Sequence, residues 1–280
     1  MENFYKGYRR IALSEEDIAK IYNGRAEEIL DLVGIENEYL IVTNKDKDDE
    51  VVDLFCWQDG KPRHIRYEGL NTRFLGKLRP RNIEQKLSFD MLQDERSTIK
   101  VLTGRFGAGK DLIMISHALS FLEKEKYDKI IWVRNNIEVK DTAPLGALPG
   151  SNEDKLIPWC GPLIDHLGGV DGVRNLIESG QLEVVHLGHL RGRDFKRSII
   201  ISSEAENLTK QHLQLLIGRV GEGSNLWING DWKQRDKKIF EESLGLEGMI
   251  QKLSGNPLFG YVHLTKSERS ETAALADLLD

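Results

Sequence analysis

The segment best suited to chemistry is glycine-rich and ends in a lysine, with the spacing G-x-x-x-x-G-K between Gly104 and Lys110. Glycines let backbone N–H groups turn toward phosphate oxygens, and a lysine brings a mobile positive charge to the terminal phosphates. We predict that this segment binds a nucleoside triphosphate; the alternative is a glycine-rich turn without a ligand. The candidate nucleotide-binding residues here are Gly104, Arg105, Phe106, Gly107, Ala108, Gly109, Lys110, Asp111 and Leu112.

The residues on either side of this segment favour the phosphate-binding interpretation. A loop of this kind follows a buried strand and opens a helix. An apolar run at Ile99–Thr103 precedes the segment, and an amphipathic run at Leu112–Leu122 follows it. The partial positive charge at the N-terminus of that helix would add to the attraction for phosphate.

Two positions depart from the usual pattern of such a site. Residue 111 is an aspartate where a serine or threonine hydroxyl normally ligates Mg²⁺, and Ser203 ends an apolar strand where an aspartate normally holds the metal. Because a carboxylate and a hydroxyl have changed places, we predict a Mg²⁺ site with Asp111 on the metal. Ser203 would support Asp111 through a hydrogen bond or a water. The alternative is a decayed site that binds nucleotide but turns it over poorly.

Glu204 follows that strand directly and is, with Lys110, a candidate catalytic residue. A carboxylate at this place can orient or deprotonate the water that attacks the terminal phosphate. The alternative role is a carboxylate that favours the start of a helix, and the two roles are compatible.

These candidate residues need a sheet to position them, and the apolar runs from residue 83 onward predict one. Short apolar strands alternate with helices, which is typical of an α/β fold with a mainly parallel sheet between helices. The predicted strands are Ile99–Thr103, Lys129–Arg134, Leu182–His186, Ser198–Ser203, Asn225–Asn229 and Tyr261–Leu264.

Residues 1–78 have a different sequence pattern from the rest of the chain. The pattern predicts a small N-terminal β-rich module with one helix at Ser14–Asn23. Strand-like runs follow at Glu38–Val42, Val51–Trp57 and Pro62–Tyr67, and turn residues separate them. The segment Gly76–Asn82 contains a proline and three basic residues and is predicted to join this module to a second domain, residues 79–280.

The composition limits the functional classes. The net charge is −6 and the pI about 5.7, so any contact with nucleic acid must come from a local basic patch. The sequence contains no run of about 18 apolar residues, so we predict no membrane-spanning helix. The N-terminus lacks the features of a signal peptide. Cys56 and Cys160 lie far apart, which favours a reduced, cytoplasmic setting.

Ser203-Glu204-Ala205-Glu206-Asn207 resembles the D-E-A-Q-N box of PhoH-like ATPases, which are related to the RecA-like first motor domain of superfamily 1 helicases. The resemblance runs from about residue 79 to 270. Residues 37–78 resemble, more weakly, a module that longer members place after a PIN nuclease domain, and we expect this chain to lack that nuclease. Further similar segments are Arg81–Gln85, Arg134–Asn136, Leu145–Gly150, Lys155–Trp159, Leu190–Arg193 and Gly230–Gln234.

The resemblance implies roles for several residues. Gln85 would read adenine, which favours ATP, or it is simply a glutamine at a helix start. Gln234 would sense the γ-phosphate. Arg269 would act as an arginine finger across a subunit interface, with Arg134 as a second candidate, or Arg269 is a solvated basic residue. Glu206 stands where the family box has glutamine and adds a negative charge near the phosphates.

The resemblance also implies partners. It favours an ATPase that acts on single-stranded RNA or DNA as a ring of identical subunits, such as a hexamer. The alternatives are an ATP-dependent regulatory or assembly protein without a polynucleotide substrate, and a nucleotide-binding pseudoenzyme. The candidate nucleic-acid contacts are Arg191, Arg193, Lys196 and Arg197. The alternative is that these basic residues coordinate phosphate or pair with carboxylates.

Overall fold

The computed structural model describes residues 4–134, 157–231 and 245–268. The strands in chain order are β1 (Tyr8–Leu13), β2 (Tyr39–Asn44), β3 (Glu50–Gln58), β4 (Lys61–His64), β5 (Leu70–Thr72), β6 (Gly76–Leu78), β7 (Ile99–Gly104), β8 (Lys129–Arg134), β9 (Leu182–His186), β10 (Ser198–Ser202), β11 (Asn225–Gly230) and β12 (Phe259–Leu264). The α-helices are α1 (Glu15–Tyr22), α2 (Ile83–Gln93), α3 (Lys110–Glu123), α4 (Gly161–His166), α5 (Val170–Glu178), α6 (Lys210–Ile217) and α7 (Gly245–Leu253).

Six strands form the central sheet in the order β12-β7-β11-β10-β8-β9, and every neighbouring pair is parallel. The predicted α/β fold with a parallel sheet is confirmed, and it is consistent with a RecA-like P-loop NTPase. Strand β11 lies between β7, which leads into the glycine-rich loop, and β10, which leads to Glu204. Because carboxyl ends of parallel strands meet at one edge, this order brings the candidate residues together.

Both faces of the sheet are covered, which explains why its strands read as continuous apolar runs. Helices α2 to α5 pack on one face, against residues such as Leu102, Trp132 and Trp227. Helices α6 and α7 pack on the other, against residues such as Val101 and Ile200. In the described ranges no helix combines the length and the apolar character needed to cross a membrane.

The N-terminal segment forms a separate four-stranded sheet in the order β1-β2-β3-β4. The predicted helix is present, and the Ser14 side chain accepts the N–H of Asp17 as its N-cap. Strand β1 was not predicted, because its two adjacent arginines, Arg9 and Arg10, interrupt the apolar pattern; it pairs in parallel with β2.

The small sheet packs on the central domain. The Tyr39 hydroxyl donates to Asp90 of α2 at 2.8 Å, and Tyr39 shares a core with Leu87 and Phe89. The hairpin β5–β6 packs on α3, and the predicted junction begins inside β6. The domain boundary at residue 78 stays a prediction.

Candidate functional site

The glycine-rich loop leaves the carboxyl end of β7 and runs straight into α3, whose first residue is Lys110. Gly104 has φ 143°, and a Cβ there would lie 2.2 Å from the carbonyl oxygen of Leu264. Gly107 and Gly109 also have positive φ, 79° and 86°. These conformations favour glycine, so the loop backbone depends on these residues.

The Lys110 ammonium group lies over this loop. Its Nζ donates to the carbonyl oxygens of Gly104 at 2.7 Å and Arg105 at 3.1 Å. The lysine is therefore folded back along the loop that would hold phosphate, beside the N-terminus of a 14-residue helix. A positive side chain and a helix N-terminus at one place suit an anion with several charged oxygens.

Asn229, at the end of β11, connects the loop helix to the β10 end of the site. Its Nδ2 donates to Oδ1 of Asp111 at 2.6 Å, and its Oδ1 accepts the backbone N–H of Glu204 at 3.3 Å. One amide side chain thus fixes the Asp111 carboxylate relative to Glu204. We did not identify Asn229 from the sequence, because nothing in the run Leu226–Gly230 marks it as functional.

The hydrogen-bond partner of Ser203 is Arg134, and not Asp111 as predicted. Its Oγ accepts a hydrogen bond from Arg134 at 3.1 Å, and the same guanidinium nitrogen lies 2.8 Å from Oε1 of Glu204. Within the described residues Ser203 forms no direct hydrogen bond with Asp111, so support through a water stays a prediction. Arg134 itself pairs inside its own chain here, rather than standing free for a neighbouring subunit.

Glu204 has the left-handed conformation, φ 55° and ψ 44°, which is uncommon for a residue with a side chain. Such strain persists where the surroundings impose it and clusters at functional sites. Here Asn229 binds the Glu204 backbone and Arg134 binds its carboxylate, while half of that side chain stays exposed. The carboxylate is therefore oriented and accessible, as a catalytic base requires.

Glu206 is the buried carboxyl of the site. Its Oε2 accepts the backbone N–H of Asp231 at 2.9 Å. Burial raises the pKa of this carboxyl to about 7; the charge of Glu204 also raises it, and the Asp231 hydrogen bond and Lys110 oppose the shift. Near neutral pH the group is therefore partly protonated and resembles a glutamine, the residue of the family box.

Glu206→Gln is expected to remove a pH-dependent loss of stability. At pH values between the ordinary pKa of a glutamate and about 7, Glu206 keeps its proton in the folded chain and releases it in the unfolded chain. The contribution of Glu206 to the stability of the fold therefore falls as pH rises. The variant should gain over the wild type up to about 3 kcal/mol in free energy of unfolding by pH 8, and much less at pH 5. Urea unfolding at both pH values measures this.

Glu27→Gln is the matched control, since that glutamate is exposed; its difference from the wild type should not change with pH. A Glu206→Gln difference that is equally flat would contradict the buried, proton-binding carboxyl.

Gln85 lies buried at the start of α2. Its Oε1 accepts the N–H of Arg81 at 2.9 Å, and its Nε2 donates to the carbonyl of Ala108 in the loop at 3.3 Å. Gln85 therefore ties the junction to the loop, and reading adenine as well would require an exchange of one of these bonds. The N–H of Glu268 also donates to the loop, at Gly107 O.

Several predicted residues lie outside the described residues: Gln234, Arg269 and the similar segments between residues 135 and 156. Among the described residues no group of three or more histidine, cysteine or carboxylate side chains is arranged to hold a metal ion. A site for Mg²⁺ in the described residues would therefore contain at most two carboxylates, and phosphates and water would complete the ligands.

The predicted nucleic-acid residues lie between β9 and β10, and half of them are engaged. Arg193 pairs with Glu183 and stacks on Phe195, and Arg197 pairs with Asp128 at 3.1 Å. Arg197 precedes β10 and lies at the edge of the sheet opposite the nucleotide loop. These pairs favour the alternative in which the basic residues neutralise carboxylates.

Comparisons with known proteins agree with this geometry. A sequence profile of PhoH-like proteins matches residues 77–277. The chain is 36% identical over 202 residues to Protein PhoH2 of Thermobispora bispora, covering 71% of this chain and 46% of that protein. It is 36% identical over 217 residues to Protein PhoH2 of Bacillus subtilis, covering 72% and 48%.

A PhoH-like protein of Synechocystis is 28% identical over 184 residues, covering 63% of this chain and 56% of that protein. The chain spans about half the length of the curated relatives it matches. The profile match covers most of the chain and includes the loop, Glu204 and Asn229. The chain therefore belongs to the PhoH-like protein family.

Proposed function

We propose that this chain binds ATP and hydrolyses it in the presence of Mg²⁺. The observation that carries the proposal is the hydrogen-bonded connection from Asp111 through Asn229 to Glu204, directly beside the glycine-rich loop. A loop that only binds nucleotide has no need for a carboxylate held at the start of α3 and a second one held at the end of β10.

Asp111 is the residue that would hold the metal. Asn229 donates to its Oδ1, and Oδ2 is the oxygen that would ligate Mg²⁺. When bound, the metal neutralises charge on the phosphate oxygens. Asn229 keeps the carboxylate aimed, and Lys110 supplies the second positive charge from the loop side.

Glu204 is the residue that would take the proton of the attacking water. Arg134 holds one carboxylate oxygen, so the other can accept a proton or align the water. Arg134 also ties Ser203 to Glu204, which assigns Ser203 a supporting role through Arg134. Three further residues keep the roles that the family resemblance implies. Gln85 would read adenine, Gln234 would sense the γ-phosphate, and Arg269 would act as an arginine finger.

We further propose that ATP turnover is coupled to a nucleic-acid strand and that identical subunits assemble to do this work. The described chain holds one six-stranded RecA-like sheet, and a motor that moves along a strand needs two such units facing each other. The competing proposals are a regulatory ATPase without a polynucleotide and a pseudoenzyme that binds ATP without turnover.

Lys110→Ala is expected to weaken ATP binding at least about tenfold and to bring hydrolysis to background, because the loop loses its only lysine charge near the phosphates. The measurement is phosphate release by the full chain with ATP and Mg²⁺, alone and with single-stranded RNA or DNA. Stimulation by a strand supports the coupled ATPase, and turnover without stimulation supports the regulatory one. ATP binding without turnover would contradict the hydrolase.

A further inference from the structure

The charge of this chain is distributed unevenly, and its strongest basic segment lies outside the nucleotide site. Residues 61–81 contain seven lysine or arginine residues and a single glutamate, in a chain whose net charge is −6. Arg63 pairs with Asp90, and the glutamate, Glu68, lies 3.4 Å from Lys124. The remaining basic side chains have no carboxylate partner within the described residues: Lys61, Arg66, Arg73, Lys77, Arg79 and Arg81.

Strands β5 and β6 turn part of this segment into one surface. Asn71 and Lys77 are opposite each other in the antiparallel register, next to the pair Leu70 and Leu78, whose leucine at 70 is buried. Side chains alternate across a hairpin, so Asn71 and Lys77 point away from the core. Lys77 and Arg79 are both exposed.

A cavity of about 420 Å³ opens on this side of the hairpin; we call it the hairpin groove, and it is lined by Tyr67, Leu70, Asn71, Lys77, Arg79 and Pro80. Gly69 completes its wall, and a Cβ there would already lie 3.6 Å from Cγ of Arg79. The cavity has the volume of an ordinary small-ligand site, and its lining residues include two cationic residues, one amide and one phenol.

Aromatic side chains alternate with the cations along the same segment. Tyr67 follows Arg66 and lies half-buried in the groove, with its ring held edge-on against Phe89. Phe74 follows Arg73 at the hairpin tip and is 42% exposed. Cations that track a phosphate backbone, with fixed aromatic rings between them, are the features that bind single strands through backbone charge and base stacking.

The groove is linked to the nucleotide loop through the chain and two hydrogen bonds. Two residues after Arg79, the N–H of Arg81 donates to Gln85, and Gln85 donates to the loop carbonyl of Ala108. A ligand that moves Arg79 therefore acts on a short, hydrogen-bonded segment that ends on the phosphate loop.

We propose that the hairpin groove is a binding site for a single-stranded polynucleotide, with Lys77 and Arg79 on its phosphates and Tyr67 against a base. This places the polynucleotide on the β5–β6 hairpin, away from the β9–β10 loop, where Arg193 and Arg197 are already paired with carboxylates. The purpose of the site rests on the proposed ATPase function, but strand binding itself needs no nucleotide.

The test is fluorescence anisotropy of labelled 12-nucleotide single strands, oligo(U) and oligo(dT), with the full wild-type chain and no ATP. Lys77→Ala/Arg79→Ala should weaken binding at least about tenfold and flatten the slope of log affinity against log salt by about 1.4, because two phosphate contacts are lost. Tyr67→Leu, which keeps an apolar side chain against Phe89, should weaken binding about fivefold or more.

The matched control is Lys45→Ala/Lys252→Ala, which removes two exposed cations that do not line the groove and should change affinity less than about twofold. Thermal unfolding and binding of a fluorescent ATP analogue verify that each variant is folded. The proposed site is overturned if the wild type binds no polynucleotide, if the control pair loses as much affinity, or if the Lys77→Ala/Arg79→Ala variant binds like the wild type. An unchanged Tyr67→Leu overturns it as well, since the site would then recognise only charge.

The two proposals fail in different ways. A wild type that binds the strand through Lys77 and Arg79 but releases no phosphate from ATP supports the groove and contradicts the hydrolase. A wild type that hydrolyses ATP and whose groove variants bind the strand normally supports the hydrolase and overturns the groove.

Discussion

Glu204→Gln is expected to leave ATP binding intact and to slow ATP turnover by about a hundredfold to ten-thousandfold, the usual contribution of a positioned base. Glutamine can still accept the hydrogen bond from Arg134, and the Glu204 backbone keeps its bond to Asn229. The variant therefore removes the proton acceptor without removing the contacts that hold the left-handed residue in place.

The measurement is phosphate release at saturating ATP together with the affinity for a fluorescent ATP analogue. Glu206→Gln is the control, because it neutralises the next carboxyl of the same box but leaves the accessible one in place; its turnover at pH 7 should stay within about threefold of the wild type. Parental turnover in Glu204→Gln would end the base assignment.

The second large effect concerns the metal. Asp111→Asn is expected to lower the affinity of the ATP-bound chain for Mn²⁺, used as a spectroscopic substitute for Mg²⁺, by at least about tenfold. The reason is that the amide lacks the charge of the carboxylate. Asn229→Ala should lower it less, because Asn229 only orients Asp111. Electron paramagnetic resonance of free Mn²⁺ measures both.

The double variant Asp111→Asn/Asn229→Ala separates a ligand from its support. If Asn229 acts through Asp111, the double variant should bind Mn²⁺ no more weakly than Asp111→Asn alone, because the two residues are coupled. Fully additive losses would show that Asn229 has an independent role. Unchanged metal affinity in Asp111→Asn would instead assign the metal to other oxygens.

The sheet and the loop were predictable because their signals are local. Strands buried on both faces are continuous apolar runs, such as Ser198–Ser203, and the loop spacing occupies only seven consecutive residues. The α/β class followed from these signals, and the family from the resemblance of Ser203–Asn207 and other short segments; both are confirmed. The predicted start of the loop helix differed from the observed one by two residues.

The contacts of the site were not predictable, because they join residues far apart in sequence. Asn229 and Asp111 are 118 positions apart, and Arg134 and Ser203 are 69 apart. A single sequence carries no trace of such pairs. Strand β1 was missed because its local signal is misleading. Its two arginines look like solvent-exposed residues, although Arg9 pairs with Glu38 at 3.2 Å.

The basic segments illustrate a further limit. The sequence predicted nucleic-acid contacts in Arg191–Arg197 and only a junction around Lys77–Arg81, and the fold reveals that Arg193 and Arg197 have carboxylate partners. Charge in a sequence does not say which cations are already neutralised, since partners such as Asp128 lie elsewhere in the chain. The surface around β5–β6 became the better candidate only after its neighbours were known.

The most direct test of ATP hydrolysis at this site is phosphate release as a function of Mg²⁺ concentration at saturating ATP. The wild type, Asp111→Asn and a Lys110→Ala blank should be compared in the same experiment. The wild type is expected to turn over ATP only with Mg²⁺, and Asp111→Asn to need at least about tenfold more metal for half its maximal rate. A wild type that releases no phosphate above the blank, or an Asp111→Asn curve that coincides with that of the wild type, would contradict a hydrolytic site with its metal on Asp111.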